Sequence, residues 1–221
     1  MFPCLKLTLA MPTAILIAFG AACSQETGTG RVQPSYEASS GRLVQLSADQ
    51  DGDGRVDQWT YLDGTTPIRG EKDENGDGRI DRWEYFGARS ELVMVGTSTR
   101  GDGIEDTWTF VTPINGEGRV DISIARDRHI DRHEFYVNNV LARAELDTNA
   151  DGRVDRWDRY ENAMLREVQF DTSFAAARPD RRLLYDPQGH FTSAEADDDR
   201  DGRFERAVPA SSVKLPGEPR E

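Results

Sequence analysis

A repeat of 24 to 25 residues constrains this chain more than any other feature. One acidic residue recurs at Asp57, Asp81, Asp106, Asp131, Asp155, Asp180 and Glu205. An aromatic or imidazole side chain follows the first five of these by two positions, at Trp59, Trp83, Trp108, His133 and Trp157. Seven copies fill residues 49–207, and the copies that begin near Ser98, Ser123 and Thr172 are predicted to be degenerate. A unit this short buries too little surface alone, so neighbouring copies must pair or stack.

Each copy alternates in the manner of β-strands. In the second copy Trp83 and Tyr85 alternate with Arg82 and Glu84, and a period of two in an aromatic-rich segment indicates a strand. A turn signal such as Asp63-Gly64 and a second apolar run follow, which is typical of a hairpin. The predicted fold is all-β: tandem hairpins in an elongated or curved antiparallel meander, joined by acidic calcium-type loops. The repeated tryptophans then form a ladder, for which core packing is preferred to a sugar-binding face.

The acidic loops point to a hard cation. Four copies place acidic or amide side chains at loop positions one, three and five, glycine at six and an acid at nine. Ca²⁺ takes six to eight oxygen ligands, including a backbone carbonyl at position seven. A solvated turn needs no fixed spacing, and carboxylates this dense repel one another without a cation. The predicted calcium ligands are Asp49, Asp51, Asp53, Arg55 and Asp57; Asp73, Asn75, Asp77, Arg79, Asp81 and Glu84; Asp147, Asn149, Asp151, Arg153 and Asp155; and Asp197, Asp199, Asp201, Arg203 and Glu205.

The stretch from Asp49 to Gly54 resembles the first half of an EF-hand calcium loop. The acid at position nine and the strand-like flanks are more similar to the calcium loops of integrin-type propeller repeats and of thrombospondin type 3 repeats. The EF-hand glutamate of position twelve is present only as Glu84. These resemblances imply calcium-binding repeats. The alternative is a helical EF-hand or dockerin-like array that docks a protein partner.

The first residues have the features of a secretion signal. The apolar run Ala14 to Ala22 ends at Cys23, and this junction resembles the lipobox of bacterial lipoproteins. The resemblance implies a signal peptide over 1–22, an acylated Cys23, and a membrane attachment through lipid. Ser24 after the cysteine implies the outer membrane of a bacterial envelope, on its periplasmic face or at the cell surface. Residues 23–48 are then a flexible tether with a possible lead-in strand at 42–47, and 208–221 a disordered tail.

Composition narrows the function classes. A net charge of −13 repels nucleic acid, and no phosphate loop, nucleophile elbow or Cys/His pair is present. Every carboxylate pair belongs to the repeat, so we expect that the protein is not an enzyme. A carbohydrate-binding or glycosidase-like protein is the less favoured hypothesis. His129 and His133 could share a transition-metal site, but they more simply replace the arginine and tryptophan of other copies. We expect a calcium-binding structural or interaction module with a protein or glycan partner that the residues do not identify.

Overall fold

A computed structural model describes residues 32–174 and 178–208 of the chain. These residues form a single antiparallel sheet of 15 strands, in which every strand pairs with its neighbours in chain order. The strands are β1 (Gln33–Tyr36), β2 (Leu43–Ala48), β3 (Gln58–Asp63), β4 (Thr66–Lys72), β5 (Arg82–Phe86), β6 (Leu92–Thr97), β7 (Thr107–Phe110), β8 (Gly118–Ile122), β9 (Arg132–Val137), β10 (Val140–Leu146), β11 (Arg156–Glu161), β12 (Met164–Phe170), β13 (Arg181–Tyr185), β14 (Phe191–Ala196) and β15 (Arg206–Val208).

The predicted all-β meander of hairpins is confirmed. The described residues contain no helix, so a helical EF-hand or dockerin-like array does not hold for this part of the chain. The hairpins end as their turn residues predicted: Asn138 and Asn139 both adopt positive φ, at 50° and 62°. This left-handed pair matches the twist of the flanking strands. No helix in the described residues is long and apolar enough to cross a membrane.

Two strands precede the first repeat. β2 contains most of the expected lead-in strand, whereas β1 lies in the segment that the sequence predicted to be a flexible tether. The four residues of β1 are all exposed and carry no apolar alternation, which explains why the pattern did not reveal them. The predicted signal peptide, Cys23 and residues 209–221 of the predicted tail lie outside the described residues.

The repeated tryptophans lie in one row across one face of the sheet, because residues opposite each other on paired strands point to the same side. In register order the row is Trp59, Glu71, Trp83, Gly96, Trp108, Asp121, His133, Glu145 and Trp157. Trp59, Trp83 and Trp108 are therefore spaced two strands apart, about 10 Å, and His133 occupies the next such place before Trp157. The expected ladder is a row in which acidic residues or glycine separate the aromatic rings.

The apolar core is small and lies towards the C-terminal copies. Val168, Phe170, Leu183 and Ala194 form one buried cluster, with Leu165 and Tyr185 packed against it. Many other buried side chains are acidic and belong to the loops, including Asp106, Asp155 and Asp197. A sheet with this little buried apolar surface depends strongly on how its loop carboxylates are satisfied.

Candidate calcium loops

Seven loops join the return strand of one hairpin to the first strand of the next, so all seven lie at the same end of the strands. We name them L1 (49–57), L2 (73–81), L3 (98–106), L4 (123–131), L5 (147–155), L6 (171–180) and L7 (197–205). L6 begins at Asp171, one residue before Thr172, near which the repeat spacing placed its start. The fully buried Asp171 keeps the acid at position one, and L6 is one residue longer than the other loops.

Backbone hydrogen bonds link each loop to the one before it. The N–H at position one donates to the carbonyl at position nine of the preceding loop, as from Asp73 to Asp57 at 2.9 Å. The remaining five donor and acceptor pairs are Ser98 to Asp81, Ser123 to Asp106, Asp147 to Asp131, Asp171 to Asp155 and Asp197 to Asp180, at 2.8–3.0 Å. The loops are therefore stacked in a fixed register along one end of the sheet.

Inside L1 the carboxylates organise the loop backbone. Asp49 accepts the N–H groups of Gly52 and Gly54, at 2.7 and 2.9 Å. Asp51 accepts from Asp53 at 3.0 Å and Asp53 from Arg55 at 2.7 Å. These are the local turns that aspartate favours, and they hold the side chains on the inner side of the loop.

The same hydrogen bonds recur in the other acidic loops. The carboxylate at position one accepts the N–H of the glycine at position six in Asp73–Gly78, Asp147–Gly152 and Asp197–Gly202, at 2.7, 2.6 and 2.9 Å. The carboxylate at position five accepts the N–H of position seven in Asp77–Arg79, Asp151–Arg153 and Asp201–Arg203, at 2.9, 2.9 and 2.8 Å. The glycine of position six is required by backbone conformation, since φ at Gly54 is 93° and at Gly202 is 96°. The four predicted loops thus share one geometry.

In L1 to L6 the carboxylate at position nine closes the loop from the opposite side. Asp57 accepts the N–H groups of Gln50 at 3.0 Å and Asp51 at 3.2 Å, and Asp81 makes the equivalent bonds in L2. In L5 burial, together with the nearby charges of Asp147 and Asp151, raises the pKa of the Asp155 carboxyl, although hydrogen bonds from Thr148 act in the other direction. The carboxylates of L5 therefore repel one another in the absence of a cation.

Two loops bring three carboxylates to a common point. One oxygen each from Asp49, Asp51 and Asp57 lie within 4.8 Å of one another in L1, and Asp197, Asp199 and Asp201 do so in L7. Asp197 is only 2% exposed, and its Oδ1 atom has no hydrogen-bond partner among the described residues. A buried carboxylate oxygen without a donor is costly, so L7 has the donor set and the unmet charge that a hard cation satisfies.

Two predicted ligands are placed differently. Glu84 lies on β5, where its carboxylate accepts hydrogen bonds from Lys72 and Arg82, each at 3.0 Å. Burial alone would raise the pKa of Glu84, but these two cations outweigh it and the pKa is lowered. Glu205 is exposed and lies outside the L7 carboxylate group formed by Asp197, Asp199 and Asp201.

The two histidines do not share a site. His133 Nδ1 lies 2.7 Å from Asp121, which also accepts two hydrogen bonds from Arg119, while His129 is paired with Asp127 at 3.2 Å. No group of three metal-ligating side chains within residues 32–174 and 178–208 includes a histidine. His133 is held in the tryptophan row, in agreement with its interpretation as a replacement for tryptophan.

Sequence reasoning missed the arginines that enter two of the degenerate loops. Arg126, at position four of L4, reaches into L3, where its Nε donates to Asp106 at 2.8 Å and its Nη1 to Asp102 at 2.7 Å. Hydrogen bonding to Arg126 is the largest cause that lowers the pKa of Asp102. Arg200, at position four of L7, lies 3.3 Å from Asp180 and 3.7 Å from Asp171 in L6. The available signal was an arginine where L1, L2 and L3 have glycine.

No protein-family model matches the chain, and a search of curated proteins gave no match.

Proposed function

We propose that this protein is a non-enzymatic calcium-binding module of a bacterial envelope, in which L1, L2, L5 and L7 bind Ca²⁺ and thereby order the sheet. The observation that supports this most strongly is the L7 site. There the buried and unpartnered Oδ1 of Asp197 accompanies the grouped carboxylates of Asp199 and Asp201.

The donor set favours calcium over other metals. The side chains at positions one, three, five and nine of the four acidic loops offer carboxylate and amide oxygens only, and these loops carry neither cysteine nor histidine. Soft or borderline metals such as Zn²⁺ prefer sulfur and imidazole. Mg²⁺ demands a tight octahedron and keeps several waters, whereas Ca²⁺ accepts irregular sets of six to eight oxygens. A loop with carboxylates at positions one, three, five and nine fits the more permissive ion.

The energy available from binding is large on the scale of this fold. With free calcium at about ten times Kd, each site adds about 1.4 kcal/mol, so four independent sites add about 6 kcal/mol. A typical domain has about 5–15 kcal/mol of stability in total, and the apolar cluster around Phe170 is small. Calcium therefore acts as an ordering ligand, with the array loose without it and rigid with it.

The cellular role follows from the proposed anchor. Acylation at Cys23 attaches the chain to the membrane, and the calcium-loaded sheet presents an extended surface to a protein or glycan partner. Extracellular calcium modules bind at about 10⁻⁴–10⁻³ M, and an affinity in this range would keep the sheet ordered outside the cytoplasm. Metabolic labelling with a palmitate analogue tests the anchor. Label on the wild type and none on Cys23→Ala is expected, and equal labelling of both would refute the anchor.

A calcium titration of the full chain by calorimetry tests the binding function. The wild type is expected to bind about four ions, in competition with EDTA and not with magnesium. Asp199→Asn keeps the acceptor for the Asp201 N–H, which lies 3.1 Å away, but removes one charge from L7, so about one ion is lost. The matched control Asp63→Asn removes the same charge from an exposed residue at a hairpin turn and leaves the number unchanged. No saturable binding at millimolar calcium would reduce these loops to solvated turns.

A further inference from the structure

In L3, L4 and L7 the residue at position four lies against the preceding loop. Arg126 of L4 contacts Asp102 and Asp106 of L3, and Arg200 of L7 approaches L6. The same holds for the glycine of L3, whereas a Cβ atom added to Gly76 of L2 would meet nothing within 4 Å. A Cβ atom added to Gly101 of L3 would lie 3.3 Å from Asn75 Nδ2 and 3.4 Å from Asp81 Oδ1 in L2. Two carboxylate loops thus receive an arginine from the next copy, and a third faces a glycine at the same point.

Backbone conformation makes these positions equivalent. Gly101, Arg126 and Arg200 have φ values of 63°, 60° and 61°. This left-handed region is unfavourable for residues with a side chain, but position four also adopts it at Ala150 and Phe174, with φ values of 59° and 55°. The common backbone and the stacked register of the loops direct each of these side chains towards the preceding loop.

Arg126 binds the two loop carboxylates that L3 retains. L3 has serine at position one and arginine at position three, so it lacks two of the acids of the other loops, but it keeps Asp102 and Asp106 at positions five and nine. The guanidinium bonds both of them. The side chains of Arg126 and Asp106 are only 11% and 2% exposed. A buried carboxylate requires a partner of opposite charge, and here the partner is part of the chain.

We propose that the residue at position four of each copy selects the cation of the preceding loop, so that Arg126 and Arg200 act as built-in cations in L3 and L6. This inference rests on calcium binding by the acidic loops. L1, L2 and L5 are followed at position four by Gly76, Gly101 and Phe174, none of which is cationic. The array then combines four loops that need calcium with two loops, L3 and L6, that an internal arginine holds in the absence of calcium.

A single substitution can place an internal arginine against one of the proposed calcium loops. Gly101→Arg places a guanidinium against Asn75 and Asp81 of L2, on a backbone that arginine already adopts at Arg126 and Arg200. The number of bound calcium ions in the full chain is expected to fall by one. The control Gly101→Gln has a comparable side chain without charge and is expected to retain the wild-type number. If Gly101→Arg binds as many ions as Gly101→Gln, or if both lose one ion, position four does not select the cation by charge.

The converse variant needs no calcium. Arg126→Gln leaves Asp106 buried without its cation, so the unfolding temperature in EDTA is expected to fall by about 5 °C or more. Arg126→Lys restores part of this loss, because it returns the charge without the forked geometry. Arg89→Gln, a change of the same type at an exposed arginine in the turn between β5 and β6, leaves the unfolding temperature unchanged within about 1 °C.

The two measurements separate the two proposals. A wild type that binds no calcium refutes the calcium function, but the effect of Arg126→Gln in EDTA still tests the internal cation. Calcium binding by the wild type together with an unchanged unfolding temperature for Arg126→Gln overturns the internal cation alone. An Arg126→Lys variant as unstable as Arg126→Gln also overturns it, because loss of packing and not of charge would then explain the effect.

Discussion

Replacement of Gly96 by alanine, which adds a single methyl group, is expected to lower the free energy of unfolding strongly. It lies in the tryptophan row between Trp83 and Trp108. A Cβ atom at Gly96 would stand 1.8 Å from Oε1 of Glu105, a side chain only 8% exposed. Both Glu105 oxygens accept from the hydroxyl of Tyr85, at 2.8 and 2.9 Å. Gly96→Ala must therefore displace a buried carboxylate and break its hydrogen bond.

The cost can be estimated from these contacts. Overpacking costs about 1–3 kcal/mol, and loss of a hydrogen bond to a charged group about 1.5–3 kcal/mol, so Gly96→Ala should lower the free energy of unfolding by about 3–5 kcal/mol. Urea unfolding in saturating calcium, followed by tryptophan fluorescence, measures it. Gly118→Ala is the matched control, because its added Cβ meets Tyr136 Cβ at an ordinary 3.5 Å. Equal stability of the two variants, or no recovery on adding Glu105→Ala to Gly96→Ala, would refute the reasoning.

Two further predictions concern L5 and the core. The pKa of Asp155 is raised in the folded state, so in EDTA this carboxyl contributes stability at low pH that is lost as the pH rises from about 3.9 through the folded-state pKa. The difference in unfolding temperature between the wild type and Asp155→Asn should show that decline when it is measured against pH. A difference that does not change with pH would contradict the prediction. Leu183→Ala opens the buried cluster around Phe170 and should cost about 2–5 kcal/mol in urea unfolding, whereas Val111→Ala, at an exposed position, should stay within about 0.5 kcal/mol.

Much of this architecture could be predicted from the sequence because each copy repeats the same local rules. Alternation at Trp83 and Tyr85 marked β5 as a strand, and Asn138-Asn139 marked the turn between β9 and β10. The four acidic loops were located by the spacing of their acids alone, and the structure shows that they share one set of inner hydrogen bonds. The predictions were least successful for residues that do not follow the repeat. β1 has no alternation to detect, and the extra residue of L6 hid its first acid, Asp171.

Contacts between copies could not be predicted in the same way. The partner of Arg126 lies 24 residues earlier, in Asp102, and a repeat spacing does not say which copy a long side chain reaches. Glu84 shows the reverse case. Its position in the pattern suggested a ligand, but the strand register sets it beside Lys72, since a strand directs alternate residues to opposite faces of the sheet. Only the three-dimensional stacking of loops decides between these outcomes.

The hydrogen bond from position one of each loop to position nine of the loop before it also governs how this chain can change in length. Whole copies can be gained or lost, because each unit brings one donor and one acceptor for its neighbours. The additional residue of L6 lies between Asp171 and Asp180, so the links to Asp155 and from Asp197 remain intact. An insertion inside a loop is thus absorbed locally, whereas one between position nine and the next position one would shift the strand register. Descendants of such a chain should differ in copy number and loop length while the distance from each position nine to the following position one stays at one of a few values.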